Sequence, residues 1–270
     1  MLRKIWSLAR LVIIDGLRRH ALIGLVLLAF GLETGGLLFF DFIPRDIGRA
    51  SADFILSIGW LTGFLFLLFH AVQVMAWDEG RRTIHTLLAR PISRTQYVLG
   101  TFLGLATLLL LLNGILGLLG YGILNLIQGS VKHAYFPHLS LVHYLLSWGG
   151  LFCIELMILA VILLFSGLVR GGFPVLLLTV SYYFICTGLP VVRNAFINKP
   201  GSDTLSIDTI LQWMTAAFPD FSRFDFKELV TSEPSAVFLQ HLSTNMLLLA
   251  LYLTVILWLT SIVYQRRDLQ

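Results

Sequence analysis

Long apolar runs separated by short polar stretches set the pattern of this 270-residue chain. A helix needs roughly 20 apolar residues to cross a hydrocarbon core. Six runs reach that length: 21–40, 52–77, 97–128, 142–168, 172–192 and 244–264. The third is longer than a span requires, so its helix is expected to tilt, kink or project. Only Val169-Arg170-Gly171 separates the fourth from the fifth, which predicts a helical hairpin. The first twenty residues repeat differently. Leu2, Ile5, Trp6, Ala9, Val12, Ile13 and Leu17 recur at helical spacing, opposite Arg3, Lys4, Ser7, Arg10, Arg18 and Arg19. Leu8, Leu11 and Ile14 blur that stripe. It predicts an amphipathic helix lying in the membrane interface, apolar face inward and cations among headgroups. The alternative is a plain extension of the first span.

Composition sharpens the class. Hydrophobic residues make up 57% of the chain and charged residues 13%, with a mean hydropathy of +0.85. Soluble domains are nearer half apolar and a quarter charged. The expectation is an all-α membrane protein, one transmembrane domain over 1–270. The net charge of +4 does not read as a nucleic-acid footprint, because the basic residues flank apolar runs. Cys153 and Cys186 fall inside such runs and suggest neither a disulfide framework nor a metal site. No cleavable leader is expected, since the first long run lacks a small-residue cleavage site.

Basic residues orient the chain. With the N-terminus in the cytoplasm, twelve Lys and Arg fall on that side and seven on the other, four of those in the long stretch 193–243. Excess Lys and Arg marks the cytoplasmic side. Both termini are therefore expected in the cytoplasm of a plasma (bacterial inner) membrane.

Two connections stand out. In the loop 78–96, Ile84, Leu87 and Leu88 form a short apolar stripe, and Pro91 biases the chain out of a helix near Arg90. Ser93 and Gln96 match a capping box, which starts the next helix at about Arg94. A short cytoplasmic helix turned by a proline offers a rigid knob to another protein; the plainer reading is an ordinary positive-inside loop. The outward stretch 193–243 is not simply polar. Asp208 is placed to cap a helix bearing Ile210, Leu211, Trp213, Met214, Ala217 and Phe218, and residues 219–226 space aromatics among charges. This predicts extracytoplasmic helices at the outer interface, serving as lipid anchors or as a substrate gate.

The loop carries a resemblance. Glu79-Gly80, Thr83-Ile84, Leu87-Leu88-Ala89-Arg90-Pro91-Ile92-Ser93-Arg94 and Tyr97-Val98-Leu99-Gly100 resemble the first cytoplasmic loop of type-2 ABC transporter permeases. The six-run order, the basic amphipathic start and the stretch Phe218–Phe224 are similar to that family too. Thr101 departs from it, standing where many relatives carry lysine. The resemblance implies a membrane-spanning subunit of an ATP-driven transporter, an exporter, with a coupling helix docked on a separate ABC ATPase present in two copies. The coupling residues would be Glu79, Gly80, Arg82, Ile84, Leu87, Leu88, Arg90 and Pro91. It implies a dimer with a second copy or a similar permease. The chain has no G-x-x-x-x-G-K-[ST] phosphate loop. ATP and Mg would therefore be bound by the partner, with no cofactor and no enzyme active site in this chain.

Glu33, His70 and Glu155 are the ionisable side chains within apolar runs, and intramembrane charges mark functional candidates. Glu155 is deepest by position, while Glu33 and His70 lie toward span ends, within reach of water or headgroups. Structural or gating roles are expected ahead of catalysis. Asn113 and Asn125 are candidates for bonds between helices. Gly31/Gly35, Gly59/Gly63 and Gly100/Gly104 have the spacing that lets helices approach closely. No motif of a metalloprotease or serine hydrolase occurs. The rival readings are an ion-coupled carrier, for which Glu155 is a thin supply of coupling sites, and a force-transmitting subunit serving an extracytoplasmic partner.

The orientation is testable in intact cells lacking Cys153 and Cys186. Lys199→Cys should react with a membrane-impermeant thiol reagent, while Arg82→Cys and Arg267→Cys should react only after lysis. The reverse pattern would overturn the topology.

Overall fold

The computed structural model describes residues 2–18, 21–40, 47–80, 93–130, 140–197, 218–230 and 236–266. These residues are helical apart from short turns, with no strand among them. Helix α1 spans Leu2–Arg18, α2 Ala21–Phe40 and α3 Ile47–Leu65. A π-helical turn, Phe66–Ala71, carries α3 without a break into α4, Val72–Gly80. Helix α5 runs over Arg94–Ser130, α6 over Leu141–Leu168 and α7 over Gly172–Ile197. Two 3-10 turns, Phe221–Phe224 and Lys227–Val230, precede α8, Ala236–Arg266.

Five helical stretches are long and apolar enough to cross a membrane: Ile47–Ala76, Arg94–Gly129, Leu141–Leu168, Gly172–Val192 and Leu242–Arg266. They mark the chain as an all-α membrane protein. The run expected as the first span lies in α2, whose apolar part Leu22–Gly35 is shorter. Burial ranks the five. Some 72% of the most apolar window is buried in Ile47–Ala76 and in α6, against 17% in α7 and α8. The first pair is thus central and the second peripheral. Helix α6 packs against α3, α4, α5, α7, α8 and both 3-10 turns.

Local chemistry accounts for the helix ends. The Ser93 backbone N–H donates to Gln96 Oε1 at 3.1 Å, and the Gln96 N–H donates to Ser93 Oγ at 3.3 Å. This reciprocal box begins α5 at Arg94, where the sequence places it. Ser140 caps α6, its Oγ accepting from the Val142 N–H at 3.3 Å. The helix containing α3 begins five residues before the apolar run, in a polar turn where Arg49 faces Asp53 at 4.0 Å. Gly171, at φ 92°, makes the turn between α6 and α7. A side chain there would be strained, so the predicted hairpin depends on glycine.

Helix α1 does not lie alone. A Cβ on Gly100 would come within 2.6 Å of Leu8 Cβ, and one on Gly104 within 2.7 Å of Val12 Cβ and 2.9 Å of the Ala9 carbonyl. Gly16 meets Leu108 in the same way. Each four-residue step along α1 thus matches a four-residue step along α5, and the two helices run parallel in close contact. Leu8 and Ala9 are buried in this seam, while Trp6, Leu11 and Leu17 stay exposed. The buried face is rotated from the stripe expected from the sequence, because the glycine strip of α5 is a better partner for small and branched side chains.

Arg94 joins the start of α5 to the end of α8. Its Nη1 donates to the Tyr264 and Gln265 carbonyls, both at 2.8 Å, at the C-terminal end of α8. Carbonyls of a helix's last turn need partners from outside the helical ladder, and a cation suits the negative end of the helix dipole. The Tyr97 and Tyr264 rings lie 6.1 Å apart beside it, and Tyr264 Oη meets Ser166 Oγ at 3.0 Å.

If the glycine seam holds α1, Gly104→Val should loosen it selectively. Amide exchange in α1 is expected to accelerate about tenfold or more, for a cost of about 1–3 kcal/mol in overpacking. Exchange in α6 should stay unchanged. Equal protection of α1 in both proteins would refute the seam.

Candidate functional site

At mid-height of the bundle, three helices bring a carboxylate, an amide and a glycine together. Glu155 sits at the middle of α6, about 20 Å by helical rise from either end. Asn113 is at the middle of α5 and Gly63 at the middle of the continuous helix Ile47–Gly80. Glu155 is completely buried. Asn113 Nδ2 donates to Glu155 Oε2 at 2.5 Å and to the Leu109 carbonyl at 3.1 Å. Glu155 Oε1 and Asn113 Oδ1 have no hydrogen-bond partner among the described residues. Gly63 makes the room, since a Cβ there would collide with the carboxylate. One turn away, Gly59 admits the Trp148 ring in the same manner.

The polar strip continues along α5. Tyr144 Oη donates to the Gly117 carbonyl at 2.8 Å. A Cβ on Gly120 would stand 2.8 Å from that hydroxyl and 3.8 Å from Glu33 Oε1. Glu33 is fully buried, and neither carboxylate oxygen has a hydrogen-bond partner among the described residues. His70 is 4% exposed, lies in the π-helical turn and stacks on Phe66 with centroids 5.0 Å apart. The sequence placed Glu33 and His70 near span ends, in reach of water or headgroups; both are instead covered by neighbouring helices. Helix packing, rather than distance from a run's end, sets their exposure. Single π turns occur often at functional sites, and His70 is the polar group this one presents to the interior. Asn125 does not bridge helices: it donates to the Tyr121 carbonyl of its own helix at 2.8 Å and is exposed.

A second feature lies beside this strip. Residues 218–230 fold into the bundle as irregular backbone, which is tolerated at membrane depth only where protein covers it. Phe221, Phe224 and Phe226 are buried. Gly150 of α6 leaves space for the Phe224 carbonyl and the Phe226 ring, and Ser147 Oγ donates to the Phe226 carbonyl at 2.6 Å. Phe221 stacks on Tyr183 of α7 at 6.2 Å, and Asn245 of α8 donates to the Arg223 carbonyl at 3.1 Å. Of the two roles expected for these aromatics, lipid anchor or substrate gate, the inward packing does not fit a lipid anchor. Between this segment, α7 and α8 opens a cleft of about 360 Å3. Asp220 and Arg223 line one part, Tyr252 and Cys186 another, with Leu248, Leu251 and Val255 between. Tyr182 and Tyr252 hydrogen-bond through their hydroxyls. Pro190 sits inside α7 and also lines the cleft. Without an N–H it leaves the Cys186 carbonyl short of its helical partner.

Of the loop candidates, Glu79 and Gly80 form the end of α4. Arg82, Ile84, Leu87, Leu88, Arg90 and Pro91 lie outside the described residues, as does the helix expected after Asp208. Among the described residues no three His, Cys, Asp or Glu side chains are grouped to hold a metal, and both cysteines are free. No protein-family model matches the chain, and no curated protein matches its sequence.

The fit of Gly63 to Glu155 generates a double-mutant test. Gly63→Ala should destabilise the detergent-solubilised protein by about 1–3 kcal/mol, the usual cost of overpacking. In a Glu155→Ala background the same change should cost far less, giving a coupling of more than about 0.5 kcal/mol. Additive shifts in the unfolding midpoint would show that the two residues do not share this space.

Proposed function

We propose that this chain is the membrane-spanning subunit of an ATP-driven exporter resembling the type-2 ABC permeases. On this reading it has six spans, with α2 as the first, and both termini lie in the cytoplasm. Two copies, or this chain and a similar permease, enclose the path. A separate ATPase, in two copies, binds ATP and Mg. The observation that carries the reading is the resemblance of residues 79–100 to the family's coupling loop, together with what that loop is joined to. Its two roots are α4 and the capped start of α5. Arg94, at the second root, grips the end of α8, and α1 lies along the following turns of α5. A push on the loop is therefore delivered to α5, α8 and α1 at once. A ligand or partner shifts a two-state equilibrium only by what it contacts differently in each state, and this linkage gives a docked ATPase that grip.

A second reading, an ion-coupled carrier, draws support from Glu33 and Glu155, two fully buried carboxylates with oxygens lacking described partners. Buried ionisable groups in membrane helices commonly mark ion or proton paths. The two readings part at Glu155→Gln. The amide preserves the bond from Asn113 in an exporter, so transport persists; in a proton-coupled carrier it abolishes transport.

Leu87→Asp tests the docking itself. Apolar anchors at the centre of an interface carry most of its energy, and rim charges little. The variant should insert normally yet lose its ATPase on affinity purification from membranes, whereas Arg90→Ala should retain most of it. Stoichiometric ATPase on Leu87→Asp would sink the docking model.

A further inference from the structure

The cleft beside residues 218–224 has two chemically distinct parts. At one lies Arg223, whose side chain is half exposed. Its Nε approaches Asp220 Oδ2 at only 3.6 Å, and its two terminal nitrogens have no hydrogen-bond partner among the described residues. Asp220 is already committed, its Oδ1 accepting from the Ser222 backbone N–H at 3.0 Å and the Ser222 hydroxyl at 2.6 Å. The guanidinium fork is thus available to an oxyanion, and its planar geometry matches a phosphate better than a point charge. The rest of the cleft is apolar. Leu189 of α7 and Leu248, Leu251 and Val255 of α8 line it, and the three α8 residues stay exposed on the bundle's outer face. That face meets hydrocarbon in a bilayer. A volume of about 360 Å3 falls within the range of small-ligand sites, roughly 300–1,000 Å3.

We propose that this cleft is a phospholipid site, with the lipid phosphate on the Arg223 guanidinium and one acyl chain along Leu189, Leu251 and Val255 toward Tyr252. The charge complementarity selects a phosphate, and the lipid-facing apolar walls select a bilayer lipid over free phosphate. The site rests on the chain's residence in a membrane and not on coupling to an ATPase. Pro190 lies on the wall that the chain would follow, and the Tyr182–Tyr252 hydroxyl pair marks where the apolar lining ends. The hydroxyl of Tyr252 is a polar group that a hydrocarbon tail does not complement, which limits how deep it runs.

The test uses the full chain, without any ATPase, in nanodiscs of phosphatidylethanolamine containing a trace of phosphatidylglycerol with a diazirine near the acyl terminus. After illumination, adducts should concentrate on the peptides carrying Met157 and Leu251–Val255, and Val255→Trp should remove them by filling the cleft. Arg223→Gln should lower this labelling roughly tenfold or more, the effect of losing a charge-assisted bond, while Arg223→Lys retains part of it. A diacylglycerol probe with the same chains and no phosphate should label the unmodified protein roughly tenfold or more weakly than phosphatidylglycerol labels it. That last comparison needs no variant, so it decides the matter even if a substitution prevents folding. Equal labelling by the two probes, or adducts spread evenly over the exposed faces of α2, α7 and α8, would overturn the proposal.

Discussion

The burial of Glu155 constrains everything around it. A carboxylate at the centre of one of the two most enclosed spans demands space on one side and a donor on another, supplied by Gly63 and Asn113. Gly63 must lack a side chain, so the helix containing α3 passes α6 at close range. Asn113 must face inward, which sets the rotation of α5 about its axis. Once α5 is so rotated, Gly117 and Gly120 face Trp148, Tyr144 and Glu33. Interhelical bonds in membranes average only about 0.6 kcal/mol. The pair therefore contributes register more than stability. The glycine-to-ring and glycine-to-helix contacts supply the packing.

Irregular backbone at depth is the second constraint. Residues 218–230 expose peptide groups that hydrocarbon cannot satisfy, and the bundle answers with particular side chains. Ser147 donates to the Phe226 carbonyl and Asn245 to the Arg223 carbonyl, and apart from the backbone Lys227 Nζ reaches Ser57 Oγ at 3.4 Å. These contacts come from α6, α8 and α3, so the segment ties together helices that differ widely in burial. It also walls the cleft. The same residues that hide its backbone leave the Arg223 guanidinium at the edge.

Much of this was legible in the apolar pattern, for a physical reason: a helix that must cross hydrocarbon declares its length in sequence. The cap at Ser93–Gln96, the hairpin at Gly171 and two of three glycine pairs also declare themselves, because each solves a local steric or hydrogen-bonding problem. The Gly31/Gly35 pair does not, since among the described residues neither has a neighbour within 4 Å of where a Cβ would be. Spacing allows approach without compelling it. The burial of Glu33 and His70 is not legible in the sequence, because exposure depends on neighbours far away in the chain, such as Gly120 and Gly16. The inward turn of Phe221, Phe224 and Phe226 was hidden for the same reason. An aromatic among charges reads identically whether it meets lipid or protein. The cleft's one forerunner in the sequence is the spacing of aromatics among charges at residues 219–226, which fits lipid anchors or a substrate gate.

The connection at Val169-Arg170-Gly171 has a mechanical corollary. Three residues with a left-handed glycine at the end leave no spare chain, so α7 can neither slide along α6 nor rotate freely beside it. A Cβ on Gly172 would already touch Ala76 at 3.2 Å, which pins the same corner from a third helix. The freedom left to α7 is angular, a swing about that corner, and its arm is longest at the far end. Pro190 and Leu189 sit out on that arm. Small changes of tilt at the corner thus become larger changes of width at the cleft, with this short joint as the fulcrum.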